Sequence, residues 1–230
     1  MQPQQQAEFL LKAAVNRSAD AAQEIGNRAP SWRGHIQATA QLDELLNAAL
    51  ISPDLNARAA ALETKLAADN IAKNPRSVHA VIARIDREPS ARPWGLWMLG
   101  ALGNRGVESS RALSTLVNYA HDSDERTRYW AVEGLSVLGI DGSVQPLLAL
   151  LRDDPSPSVR DRAACALAQS GMLTMTQRSA AVPALIDYIG DGSLDAGTHD
   201  LVYNALRHIT GEALGNNSAA WRSWFDASGH

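Results

Sequence analysis

Apolar residues recur three and four positions apart along most of the chain, the spacing that lines one side of an α-helix. VHAVIARI (78–85), RALSTLVNYA (111–120), VQPLLALLRD (144–153) and AVPALIDYIG (181–190) each carry Leu, Ile or Val in this way. Between them runs a second set richer in alanine: RPWGLWMLGALG (92–103), RYWAVEGLSVLG (128–139) and RDRAACALAQSG (160–171). Each of these opens on Arg, has Leu at its eighth position and closes on Gly, with Gly103, Gly139 and Gly171 spaced 36 and 32 residues apart. Weaker copies close at Asn70 and Gly211. Gly and Asn tolerate the left-handed backbone that ends a helix, so these five positions are predicted helix ends. The polar stretches HDSDE, DDPSPS and GDGSLD supply Asp and Ser, whose side chains accept from the free N–H groups of a following helix.

The unit is therefore helix, short polar turn, helix. One such pair cannot bury both of its apolar faces, whereas stacked pairs bury each other's and build a continuous core. The prediction is an all-α fold, a right-handed α-solenoid of about five helix pairs with helical caps. Residues 4–25 read as one amphipathic helix within an N-terminal cap over 1–30, residues 31–211 as the repeats, and 212–230 as a C-terminal cap and tail. In that last segment Trp221, Trp224 and Phe225 share one face of a short helix begun by Asn217 or Ser218. An outer helix, a D-P-S-P-S turn and then V-R-x-x-A-A-x-A-L-x-x-x-G resembles the HEAT repeat. The likeness is best over about 107–171, weaker out to 45 and 211, and departs from the pattern at Pro93–Trp97, where two tryptophans replace small residues. The Thr-Gly and Trp-x-x-Trp ending is similar to that of bacterial HEAT-like proteins.

Charge narrows the function. A formal net charge of −4 argues against general affinity for nucleic acid or anionic membrane, although Arg outnumbers Lys eighteen to three. No apolar run approaches the ~20 residues of a membrane span, and the start MQPQQQ has no signal-peptide pattern. A soluble monomer is expected, cytoplasmic, or extracytoplasmic if a targeting segment precedes Met1. The single cysteine, Cys165, reads as a buried inert thiol.

The sequence holds no H-E-x-x-H, C-x-x-C, G-x-S-x-G or phosphate-loop pattern, and no cofactor is expected. Gly100, Gly103 and Gly106 fit a helix-ending turn. His121, Asp122, Asp124 and Glu125 are the densest set of metal-ligand types, but they match no EF-hand and suit helix capping better. Arg92, Arg128 and Arg160 resemble the repeat arginine that HEAT-like proteins pair with an acidic turn, for which Asp122, Asp124, Asp153 and Asp154 are placed to serve.

Aligned repeats place Trp94, Trp130 and Arg162 at the third position and Trp97, Glu133 and Cys165 at the sixth, on one helix face. Adding Arg126 and Tyr129 marks a candidate concave binding face of Trp94, Trp97, Arg126, Tyr129, Trp130, Glu133 and Arg162. Trp, Tyr and Arg dominate interface energetics, so the expected function is a non-enzymatic module that binds a protein or peptide there. Two alternatives stand beside it. The tryptophans could instead fill space between layers, and similar solenoids serve as phycobilin lyases or DNA glycosylases.

Overall fold

The computed structural model of the chain describes residues 1–228, and no strand occurs among them. The helices come in antiparallel pairs: α1 (Pro3–Val15) with α2 (Ala19–Trp32), α3 (Ala40–Leu50) with α4 (Leu55–Ala68), and α5 (Pro75–Arg87) with α6 (Arg92–Asn104). There follow α7 (Ser109–Tyr119) with α8 (Glu125–Leu138) and α9 (Val144–Asp153) with α10 (Pro157–Ala168). Short α11 (Met175–Ser179) leads into α12 (Val182–Tyr188), α13 (Ala196–Thr210) and α14 (Ser218–Ala227). No helix among the described residues is long and apolar enough to cross a membrane.

From α5 onward the molecule is an α-solenoid. Helices α6, α8, α10 and α13 pack side by side as an inner row, with α5, α7, α9 and α12 behind them. The shared core includes Leu99, Leu135 and Leu167, the eighth-position leucines, all fully buried. At its C-terminal end α14 packs on α12 and puts the wholly buried Trp221 into that core. Asn217 starts α14 by accepting from the Ala220 N–H at 3.1 Å.

Helices α6 and α8 approach each other closely at two glycines. A Cβ built on Gly100 would lie 2.3 Å from the Gly134 carbonyl oxygen, and one on Gly134 would lie 2.6 Å from that of Leu96. Hydrogen is the only side chain the contact admits. Gly103 belongs to this packing and does not end α6, contrary to the sequence expectation, since a Cβ there would meet Leu138 Cδ1 at 2.5 Å. The left-handed position after α6 is Gly106 (φ +81), where space is open. Gly139 and Gly211 end α8 and α13 in left-handed conformation as expected.

Arginines tie successive pairs along one edge. Arg92 reaches Asp122 at 3.3 Å, Arg128 grips Asp154 through two bonds of 2.8 and 3.1 Å, and Arg160 reaches Asp195 at 3.1 Å. Asp122 and Asp154 are the predicted acceptors; Asp124 instead caps α8 by accepting from the Thr127 N–H at 2.9 Å. The turn carboxylates are held in their charged form. The Thr198 amide draws Asp195 below the usual value, and the Ser193 hydroxyl, the Ser193 amide and Arg152 bring Asp191 down to about 2.

The N-terminal part departs from the single capping helix expected over 4–25. Arg17 adopts a left-handed backbone (φ 65) and Ser18 begins α2, so the segment is a helix pair. Asn16 and Ser18 favour backbone-capping geometry over helix interior, which is why the break falls there. Helices α1 to α4 enclose a second core of small residues around Leu11, Ile25, Trp32 and Leu42.

Helix α4 joins the two cores, giving Leu62 and Leu66 to the array and Ala60, Ala61 and Ala67 to the N-terminal unit. It crosses the inner row instead of extending it. Asp69, at its end, accepts from Trp94 Nε1 near the start of α6 at 2.9 Å. Arg58, near its start, donates to the carbonyls of Gly171 and Gln169 just beyond α10, the latter at 2.8 Å. Buried Arg178 completes this clamp, donating to the carbonyls of Ala166, Leu167, Ser170 and Leu173. Burial, reinforced by the nearby Arg58 charge, pushes Arg178 down to about 10. Two cations beside carbonyls that lack helical partners complement the negative end of α10.

Gly134→Ala should cost ~1–3 kcal/mol in urea unfolding by overpacking the contact, whereas Gly26→Ala in α2, with open space around it, should stabilise by ~0.5–1 kcal/mol. Arg58→Met leaves the carbonyls of Ser52, Gln169 and Gly171 without this donor and should cost about 2 kcal/mol; an unchanged unfolding midpoint would mean that the clamp holds nothing. Because Asp191 and Asp195 ionise more readily folded than unfolded, their stabilisation is full above the unfolded carboxylate value and is lost as pH falls toward about 2. The melting temperature should therefore fall as pH drops below about 4, and less so in Asp191→Asn.

Candidate functional site

The fold-back of the N-terminal unit sets α3 opposite the starts of α6 and α8. Asp43, Leu46, Asn47 and Leu50 repeat at three- and four-residue intervals, so they form one face of α3. That face and Pro93, Trp94, Trp97 and Trp130 enclose an open groove of about 530 Å³, with Lys65 of α4 at its rim. The floor is apolar, built from indole rings and leucines.

The three tryptophans of the groove are held differently. Trp94 is fixed, with its N–H on Asp69 and the Arg84 guanidinium 4.9 Å above its ring centroid. Trp97 and Trp130 pack against the array core yet remain partly exposed. Their indole N–H groups have no acceptor among the described residues, whereas Trp32 and Trp221 donate to Gln6 and to the Gly215 carbonyl. Tyr129 stands edge-on to Trp130, with ring centroids 6.1 Å apart and planes at 77°. Burial, then the Glu133 charge, pushes the Tyr129 phenol up, so it stays a neutral donor at physiological pH.

The remaining predicted residues have other work. Glu133 and Arg162 grip each other through bonds of 2.5 and 2.8 Å, and Arg162 also donates to Ser170 Oγ at 2.8 Å. Burial disfavours the Arg162 charge, but Glu133 more than offsets this and the net shift is upward. The pair fastens α8 to α10. Arg126 is exposed, one helical turn before Trp130 on the same side of α8. The structure thus brings Trp94, Trp97 and Trp130 into one groove, sets Tyr129 behind Trp130, and leaves Arg126 apart.

Sequence reasoning missed Asp43, Leu46, Asn47, Leu50 and Lys65. The spacing on α3 was readable, but nothing local says that this face turns back on helices roughly fifty and eighty residues later.

The other clusters sort themselves by their bonds. Asp122 serves Arg92 and the Asp124 N–H, and Glu125 accepts from Ser156 at 2.7 Å, so the acidic turn is used in holding repeats together. Between α10 and α13 a more polar groove of about 280 Å³ holds Asp161, Cys165, Gln169, Asn204 and His208. Cys165 is half-buried there, not enclosed as its alanine-rich surroundings suggested. His199, on the same helix as His208, turns away to the Asp191 carbonyl at 3.1 Å.

No curated protein matches the chain. The family model of HEAT repeats matches residues 78–168, a stretch running from within α5 to the last residue of α10, three consecutive helix pairs of the array. Residues 78–168 thus match HEAT repeats, and the all-helical stacking built around them is consistent with a HEAT-repeat domain.

Proposed function

We propose that this protein is a non-enzymatic interaction module and that a segment of a protein or peptide partner lies in the groove between α3 and the starts of α6 and α8. HEAT repeats are commonly protein-interaction scaffolds. The observation that carries the reading is the contrast among the tryptophans. Trp32 and Trp221 are 1% and 0% exposed with their N–H groups bonded, as core tryptophans are. Trp97 and Trp130 line a concave site half-buried, each with an indole N–H that is not buried and has no acceptor among the described residues. Tryptophan in a partly enclosed pocket is the residue type most enriched among those that dominate binding energy.

Trp94, Trp97 and Trp130 are the anchors in this reading. Tyr129 stiffens Trp130 from behind, and Glu133 and Arg162 hold α8 and α10 in place without touching the partner. Arg126 contributes charge at the margin.

The test is affinity capture of the full chain's partners from its own cell extract, with Trp97→Ala/Trp130→Ala as the comparison. Stoichiometric partners should be lost from the variant, and binding of a purified partner should weaken roughly thirtyfold or more, the effect of a residue worth ~2 kcal/mol. Far-ultraviolet circular dichroism should stay unchanged. If the variant brings down the same proteins as the parent, the groove is not the binding site.

A further inference from the structure

Resting on the groove as the binding site, we infer that the segment it takes is proline-rich, extended as a polyproline II helix, and flanked on the α3 side by a lysine or arginine. Three features of the site lead there: its hydrogen-bonding inventory, its spacing and its charge.

Beyond their first turns the backbone N–H and C=O groups of α3, α6 and α8 are engaged within those helices, so the groove has no extended edge on which a β-strand could pair. Trp97 and Trp130, which line it, each carry an indole N–H that is not buried and has no acceptor among the described residues. A helical ligand has already spent its carbonyls internally. A polyproline II segment leaves every carbonyl free, and its prolines bring no N–H in need of an acceptor. Pyrrolidine rings also pack flat against aromatic faces, and this floor is three indoles and Pro93.

Spacing agrees. Trp97 lies on α6 and Trp130 on α8, adjacent helices in contact along their glycine faces. Packed helix axes lie ~8–10 Å apart, and one polyproline II turn of three residues advances ~9 Å. Prolines three residues apart would therefore meet the two indoles in succession.

Charge sets the flank. Lys65 is committed to Asp69 at 2.7 Å, while Asp43 lines the groove and is exposed beside the exposed Glu44. The rim on the α3 side is thus net acidic and suits a cation. Among the lining residues of α6 and α8 there is no carboxylate, so the basic residue belongs at the α3 end of the ligand.

The experiment is an anisotropy titration of the full chain with three fluorescein-labelled probes: decaproline with two terminal arginines, decaproline with two terminal glutamates, and an alanine-rich helical peptide carrying two arginines. The arginine decaproline should saturate with a Kd on the order of 10–100 µM, at least tenfold tighter than either other probe. Trp97→Ala/Trp130→Ala should weaken it tenfold or more. Trp97→Phe, which keeps a ring but removes the N–H and has little reason to unfold, should weaken it roughly three- to tenfold, the worth of one hydrogen bond. Asp43→Asn should abolish the preference for arginine over glutamate. Tighter tryptophan-dependent binding of the helical peptide would overturn the polyproline assignment and leave the groove standing. Absence of saturation by the arginine decaproline, or equal binding to the double variant, would overturn the assignment as well; the fate of the groove itself is decided separately by the capture comparison.

Discussion

The crossing of α4 over the inner row is the constraint on which the site depends. A helix that merely continued the stack would bury one face against α6 and present the other to a further repeat. This one instead divides its surface between two cores, Leu62 and Leu66 on one side and Ala60, Ala61 and Ala67 on the other. Arg58 shows how the departure is held. In α8 and α10 the equivalent arginine bonds the carbonyl six residues earlier and then reaches an aspartate in the next turn, as Arg128 and Arg160 do. Arg58 makes the same backward bond, to Ser52, but with no aspartate in reach it takes the carbonyls beyond α10. The same local device thus serves either to continue the array or to fold it on itself, depending on what stands opposite. Because α4 is pinned in this direction, α3 lies over the tryptophans.

Burial and charge divide the remaining work. The array's cohesion comes from leucines and alanines in a continuous apolar layer, with non-directional energy roughly proportional to the area removed from water. Such a layer permits helices to slide. Directional bonds remove that freedom: the two-bond Arg128–Asp154 pair, almost wholly buried, fixes both distance and angle between consecutive pairs. Glu133 and Arg162 do the same on the inner face. Ion pairs here define register more than they add stability, since much of their attraction is offset by lost hydration.

Much of the array was legible because its signals are local and repeated. Periodic leucines, the Asp and Ser turns, the ladder arginines and the glycine at α8 all act within a few residues of where they stand, and five imperfect copies reinforce one another. The failures share a cause as well. Gly103 looked like a helix end by alignment, yet its reason for being glycine is Leu138 on another helix. Cys165 looked enclosed because its neighbours in sequence are alanines, whereas its exposure depends on how far α13 stands from α10. The wall that α3 provides rests on contacts between segments far apart in the chain. Of the proposed face, the tryptophans were found because they interrupt a pattern, and the α3 residues escaped because they keep to one.

Gly100 and Gly134 touch neither solvent nor any proposed partner, yet each lies one helical turn beyond a groove tryptophan, Trp97 and Trp130 respectively. The hydrogens of these two glycines, each set against a backbone carbonyl of the facing helix, therefore act as a gauge. The separation of the aromatic faces is determined by the smallest side chains in the protein, from behind, where no ligand could ever sense it. A change of gauge would alter which repeat length in a partner fits while leaving every groove-lining residue in place, so selectivity in such a site can drift through positions that a comparison of binding residues alone would pass over.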